Sequence, residues 1–572
     1  LDKEVQLKVF MMVFLTPFIL NANDYVSFNK DKTPKFILKS FPLLNLGSTS
    51  QNELSKTHAI KILNYYDFNI TKEELKLIRH KKSLHGHHFE FQQIHNEKEV
   101  AGARVKISFN KDISKITSLY SSLKNIEPVK NEEKLLTKDQ AFEKAWEYKK
   151  LKGSLISTPL IKEQLYSKLN ITHNTFKVQF ALTNPSGYWS IFVDRASGEI
   201  IEAKDLNMYR RNFTPKVTTF KTSFSQALSQ LNVSKKHPGS SFKETFKGEG
   251  SAFIFDSNPV TTLMRDDLQD ASPSSAFKDA YFVAPLHGIT LKDDGKYYLE
   301  GENVQLTDFE APSIAPSTSD TGIWNAKRGN LAFNDVMTYY HLDKSLNYLK
   351  SIGYDGEKNI FPKGIKVDAN AVDGADNSYF SPDKDVLAFG HGCVDDNEDT
   401  DVILHELAHA IEDHILDGAR GGDYGAIGEG FGDYWAASYS YMQVNGDYKA
   451  NWVFKWDGHN DCWGGRILNA MDATYNHEKT YLAHRALGEY VTDELWSTPI
   501  FQAFKEMIDN AIASYDEIQT IMIESHYRIG QNMKMRDFAH SIVATANELH
   551  PEGEIADIYR KHFQRHNIIV KD

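Results

Sequence analysis

The 572-residue chain has only two cysteines, Cys393 and Cys462. That excludes a disulfide framework and any zinc finger built on cysteine. The pair is compatible with one bridge in an oxidising compartment and with two thiols in a reducing one, and the sequence does not choose between them. Basic charge is also short. Lys and Arg number 65 against 77 Asp and Glu, a net charge of −12, which argues against a nucleic-acid partner because phosphate binding needs a basic face. There is no internal repeat and no biased tract of the kind that stays unfolded. No apolar run reaches the roughly 20 residues that span a bilayer. The longest, "VFMMVFLTPFIL" (Val9 to Leu20), is interrupted by Pro17. With Lys3 and Lys8 before it and Asn21-Ala22 after it, this stretch reads as a secretory signal peptide over 1–22, cut after Ala22. The expected location is therefore extracellular or periplasmic, with no transmembrane anchor.

The remainder is ordinary globular material, 41% hydrophobic and 25% charged, and too long for a single core. A first unit, 23–135, has a helix at "THAIKILNYYD" and then strands. In "GARVKISFN", Val105, Ile107 and Phe109 alternate with Arg104, Lys106 and Ser108, the period of a half-buried strand. The neighbouring His85, His87 and His88 read as solvated residues at a strand entrance. A second unit, 136–205, opens with a Thr-capped helix, "LTKDQAFEKAWEYKK", followed by the strands "TFKVQFALT" and "YWSIFVDRASGEIIEAKD". Residues 206–247 turn polar and basic ("YRRNFTPK", "SKKHPGSS") and read as an exposed connection that holds the expected maturation cut.

The chemistry concentrates in "DVILHELAHAIEDHILDG", Asp401 to Gly418. Residues i and i+4 of a helix lie about 40° apart, so His405 and His409 project side by side and can share one ion. Glu406, rotated about 100° from His405, can reach a water at that ion without being a ligand. A chance His-Glu-x-x-His occurs in roughly one chain in twenty of this length, so the motif alone decides nothing. A catalytic zinc needs a third protein ligand and an open position. "GAIGEGFGDYWAAS" offers a candidate in Glu429, which shares one face of a returning helix with Asp433, so that one of the two can bind the ion while the other orients a histidine. Glycines 425, 428, 430 and 432 suit close helix packing better than a free surface.

Taken together, His-Glu-x-x-His and "GEGFGDYWA" resemble the gluzincin metallopeptidases of the thermolysin and fungalysin group. "HHFEFQQIHNEKEVAGARVKISFN" resembles their propeptide motif, and 136–204 resembles a PepSY domain. The resemblance implies an α+β prosegment that assists folding and blocks the active site. After it would come a two-lobed catalytic unit, strand-rich over 248–400 and helical over 401–572, with zinc in the cleft. It implies His405, His409 and Glu429 as zinc ligands, Glu406 as general base and Asp433 as support for His405. "DNSYFSP" resembles the edge strand that pairs with substrate, so Asn377 and the main chain of Ser378 would hold a peptide extended. "AHRALGE" resembles the segment of the oxyanion histidine, giving His484, with His477 as runner-up; read without the resemblance, His484 would begin a helix, "HRALGEYVTDELW". Tyr424 is the candidate for an oxyanion tyrosine. Asp401 matches a calcium ligand, but Ser438, Tyr439 and Ser440 stand where its acidic partners belong, so Ca2+ is not favoured and "DDNEDTD" reads as a solvated run at a helix start. The implied function is a secreted zinc endopeptidase made as a precursor, with peptides or proteins as substrates and its own prosegment as an intramolecular partner. An inactive relative acting as an inhibitor, and a metal-binding surface protein, are the rival readings.

Overall fold

The computed structural model describes residues 24–39, 41–43, 50–127, 135–148, 154–155, 157–168, 171–183, 187–211 and 246–571. The expected signal peptide lies outside them, as does the expected linker from 212 to 245. The fold is α+β and multidomain.

In the first unit Ser50 caps the helix Gln51–Tyr65 by accepting from the Glu53 N–H. Ala59, Ile62 and Leu63 of this helix pack on Phe89, Phe91, Val105, Ile107 and Leu119 of the antiparallel strands Gly86–His95, Lys98–Asn110 and Lys115–Ser121. In the second unit the helix Lys138–Tyr148 lays Phe142 and Trp146 on Phe180, Ile191 and Val193. A parallel pairing at Val100 and Leu165 joins the two units into one twelve-stranded sheet.

The strand Lys98–Asn110 is not half-buried as its alternation predicts. Its second face is also covered: Lys106 and Ser108 are buried, and the Lys106 ammonium donates to the Ile529 carbonyl at 2.7 Å. The three histidines separate in the same way. His85 is exposed and His87 half-buried, but His88 is buried between the Ser83 and Ser108 hydroxyls and stacks on Tyr527 at 4.9 Å. Strand periodicity reports one buried face, and here the helical part of the chain covers the other. Ion pairs line this contact, with Lys35 at Asp537, 2.8 Å, and Arg79 at Asp417, 2.8 Å.

Beyond residue 246, the strands Phe246–Ile254 and Phe282–Leu291 pair antiparallel. A five-stranded sheet includes Ile365–Asp368, Ser378–Ser381 and Val386–Phe389. The helix Leu331–Ser351 precedes those three strands, and the helices Thr400–Leu416, Tyr424–Tyr441, Thr492–Asp509, Tyr515–His526, Met535–Leu549 and Glu554–Arg565 follow them. One hydrophobic cluster runs through both parts, from Phe255, Val367 and Phe389 to Leu404, Ile427 and Trp496. Among the described residues no helix is long and apolar enough to cross a membrane.

Two local expectations fail for physical reasons. The helix after His484 begins only at Thr492, because Gly488 (φ 67°) turns a short hairpin between Ala486–Leu487 and Tyr490–Val491. The start of the linker is not exposed either. Met208–Tyr209 is an edge strand on Ser378–Ser381, with Tyr209 opposite Tyr379, and the side chain of Arg210 is 0% exposed.

Candidate active site

Asp399 caps the His405 helix, accepting from the Asp401 N–H, and Asp417 ends it in the left-handed conformation. The helical period then sets His405 beside His409, with ring centroids 4.8 Å apart and nearly perpendicular. The Glu429 helix can approach because Gly432 has no side chain: a Cβ there would lie 2.5 Å from His405 Nδ1. Glu429 Oε2 stands 3.3 Å from His405 Nε2, and its Oε1 stands 3.4 Å from His409 Nε2. One ligand atom from each of the three lies within 4.8 Å of the others. Both Nε2 atoms and Glu429 Oε2 are buried without a hydrogen-bond partner, an arrangement that normally costs stability and that a cation at their centre would relieve. Two imidazoles and a carboxylate at this spacing fit zinc.

The far side of His405 is held by Asp433 Oδ1, 3.1 Å from Nδ1, which also accepts from Arg466 at 2.7 Å. Burial alone would discharge His405, but its contacts with Asp433 and Glu429 outweigh that and push the imidazole up to about 9. Burial also disfavours charge on Glu429, yet His484 and His409 hold its carboxyl well below the usual range. Glu406 faces the site with both oxygens buried and unpartnered, and burial raises its carboxyl to about 7. That is where a base must sit to take a proton near neutral pH and give it up again.

His484 brings Nε2 to 3.7 Å from Glu429 Oε2 and has a left-handed backbone conformation, φ 57°. Asp493 fixes it there, accepting from the His484 N–H at 3.0 Å and contacting Nδ1 at 2.8 Å. Burial would lower this imidazole too, but Glu429 and Asp493 leave it raised. His484 Nε2 points at the carbonyl oxygen of Tyr209, 2.9 Å away. Residues 208–211 continue along the edge strand. The Arg210 N–H donates to the Ser378 carbonyl at 3.2 Å, and Asn377 Nδ2 donates to the Arg211 carbonyl at 3.2 Å. Arg466 donates to the Arg210 carbonyl at 2.6 Å. Asn377 and Ser378 thus lie against the chain's own backbone.

Of the two remaining candidates, only Tyr424 meets the 208–211 segment among the contacts of the described residues. His477 contacts the Asn567 carbonyl, and the Tyr424 hydroxyl faces Met208 Sδ at 3.9 Å. The acid run is buried rather than solvated. Asp399 accepts from the Trp456 and Asp457 N–H groups, Asp401 from Ser440 and the Phe454 N–H, and Glu398 pairs with Arg328 at 3.0 Å. Cys393 and Cys462 form a disulfide. Sequence reasoning missed Asp493, Arg466 and the 208–211 segment, since none carries a local motif.

No protein-family model matches the chain, and no curated protein does. Similar solved structures include a precursor of protealysin, a metalloproteinase from Serratia proteamaculans, at 14% identity over 61% of this chain and 95% of that one, TM-score 0.35. Another is the YpeB C-terminal domain of Bacillus megaterium, at 12% identity over 36% of this chain and 97% of that one, TM-score 0.19. At these scores neither bears on what the chain does.

Proposed function

We propose that the chain is the precursor of a zinc endopeptidase whose substrate cleft is filled by its own residues 208–211. One observation carries this reading: an orphaned His405, His409 and Glu429 donor set lies beside a peptide backbone clamped in extended form. When bound, zinc would supply Lewis-acid chemistry, polarising the carbonyl under attack and acidifying the attacking water.

The chain's own groups do the rest. The Ser378 carbonyl, Asn377 and Arg466 hold the peptide backbone on the carboxyl side of the scissile bond. Glu406 takes a proton from water as its oxygen bonds to the carbonyl carbon, then passes that proton to the leaving nitrogen as the C–N bond breaks. His484 Nε2, oriented by Asp493, donates to the oxygen on which negative charge develops. The Tyr209–Arg210 bond lies where this machinery converges, so the prosegment both blocks the cleft and presents the bond whose cleavage would free it. In this reading 1–22 are a signal peptide, residues 23–209 the prosegment, made of the two units 23–135 and 136–205 and the start of the linker, and the secreted product is the active form.

The test is a casein-degradation assay on purified protein with and without a zinc chelator, alongside metal analysis and N-terminal sequencing. One zinc per chain, chelator-sensitive degradation and a mature N-terminus at Arg210 are expected. Full activity from a chain that still begins near Asn23 would contradict the blocking role.

A further inference from the structure

A guanidinium buried to 0% exposure is the least ordinary feature of the 208–211 segment. Arg210 passes from the edge strand into a pocket in which one end nitrogen pairs with Asp396 at 2.9 Å and the other with Asp457. Ser378 Oγ donates to Asp396 at 2.6 Å and fixes that carboxylate. Aromatic faces close the sides, Trp463 with its centroid 4.9 Å from the guanidinium carbon and Phe454 at 5.5 Å. The Cys393–Cys462 bridge ties the loop before Asp396 to the loop bearing Trp463, so the two walls are linked covalently.

Resting on the peptidase reading above, we propose that this pocket is a substrate subsite, and that the enzyme cleaves peptides on the amino side of arginine. Arg210 directly follows the carbonyl held by His484, so its side chain occupies the position after the scissile bond. A planar fork spans two carboxylates and stacks on aromatic rings, whereas a lysine offers one point charge. A leucine there would leave two buried carboxylates facing each other unpaired, which is costly. A divalent cation is the poorer fit, since it wants more oxygens and gains less from aromatic walls. Arg211 extends the pattern more weakly. It pairs with Asp376 and lies 5.1 Å from the Trp463 centroid, but its side chain is 19% exposed. Peptides with two successive arginines after the cut are therefore the favoured substrates.

The experiment uses wild-type enzyme matured from the full chain and a set of otherwise identical quenched peptides carrying Arg, Lys, Leu, Phe or Ala after the cleaved bond. Mass spectrometry identifies the bond cut. The arginine peptide should exceed the leucine peptide in kcat/KM by about 100-fold or more, with lysine between them. Asp457→Asn should lower the ratio of kcat/KM for the arginine peptide over that for the leucine peptide by about 30-fold or more, a change of ratio that a misfolded variant cannot give. Leucine or phenylalanine cleaved as well as arginine in the wild type, which needs no variant, overturns the subsite while leaving the peptidase reading intact. No hydrolysis of any peptide or of casein overturns both.

Discussion

His484 Nε2 lies 2.9 Å from the main-chain oxygen of Tyr209, a residue 275 positions earlier in the chain. A histidine aimed at a peptide carbonyl, with its other nitrogen pinned by Asp493, is set to donate to that oxygen as it gains charge. His484→Ala should lower kcat by about 10²–10³ while leaving KM and zinc content nearly unchanged, because the contact strengthens only in the transition state. Asp493→Asn should act in the same direction through the ring's orientation. His477→Ala should leave kcat unaltered. The melting temperature is measured on the same samples, and a destabilised His484→Ala with normal turnover would refute the assignment.

Glu429→Ala should lose most of its zinc and keep its fold. Glu429 supplies one of three donors, and the helix that carries it is anchored by apolar packing of Ile427, Phe431 and Tyr434. Metal analysis with circular dichroism decides. Full zinc occupancy in the variant would rule out this ligand.

Glu406→Gln keeps the shape of the side chain and removes the proposed base. Zinc should remain while hydrolysis falls by at least about 10²–10⁴. The same variant should accumulate as uncut precursor, visible as a single band containing both the prosegment and the helical part. Normal processing in that variant would show that the Tyr209–Arg210 bond is cut by something else.

Acid should loosen the prosegment. His88 is buried against Tyr527, and burial, with Lys106 and Arg528 nearby, holds its imidazole well below 6.5. A base whose folded pKa is depressed takes up its proton only on release. Between pH 6.5 and the lower folded value the released state therefore binds more protons, and stability falls with pH by up to about 1.4 kcal/mol per unit. In the Glu406→Gln precursor, the melting temperature should drop below pH 6.5, and less steeply once His88→Gln is added. Parallel slopes would remove His88 from the effect.

The disulfide closes a loop with a sequence separation of 69, which constrains the unfolded chain by about 4 kcal/mol in the chain-entropy model. Reduction, or Cys393→Ser, should lower the denaturation midpoint accordingly. Because the bridge also joins the walls of the Arg210 pocket, reduction should weaken cleavage of the arginine peptide more than that of the leucine peptide. Equal losses would make the bridge purely a stabiliser.

Much of the candidate site can be read without coordinates. His405 and His409 share a helix face because the helical period admits no other arrangement, and Gly432 and Glu429 on the returning helix belong to the same short stretch of sequence. The strands and helices of the first two units are legible for the same reason: alternation and capping are relations between residues a few positions apart. The sequence by itself therefore determined that His405, His409 and Glu429 can come together, and the α+β character. Only the tertiary structure decided that Lys106 and His88 are buried on a second face, that Asp493 pins His484, and that Arg210 sits between Asp396 and Asp457. Those contacts join residues from nine to more than 400 positions apart, and no periodicity links such positions. They are set by which apolar faces meet, and by the need for each buried charge to find a partner once they have met.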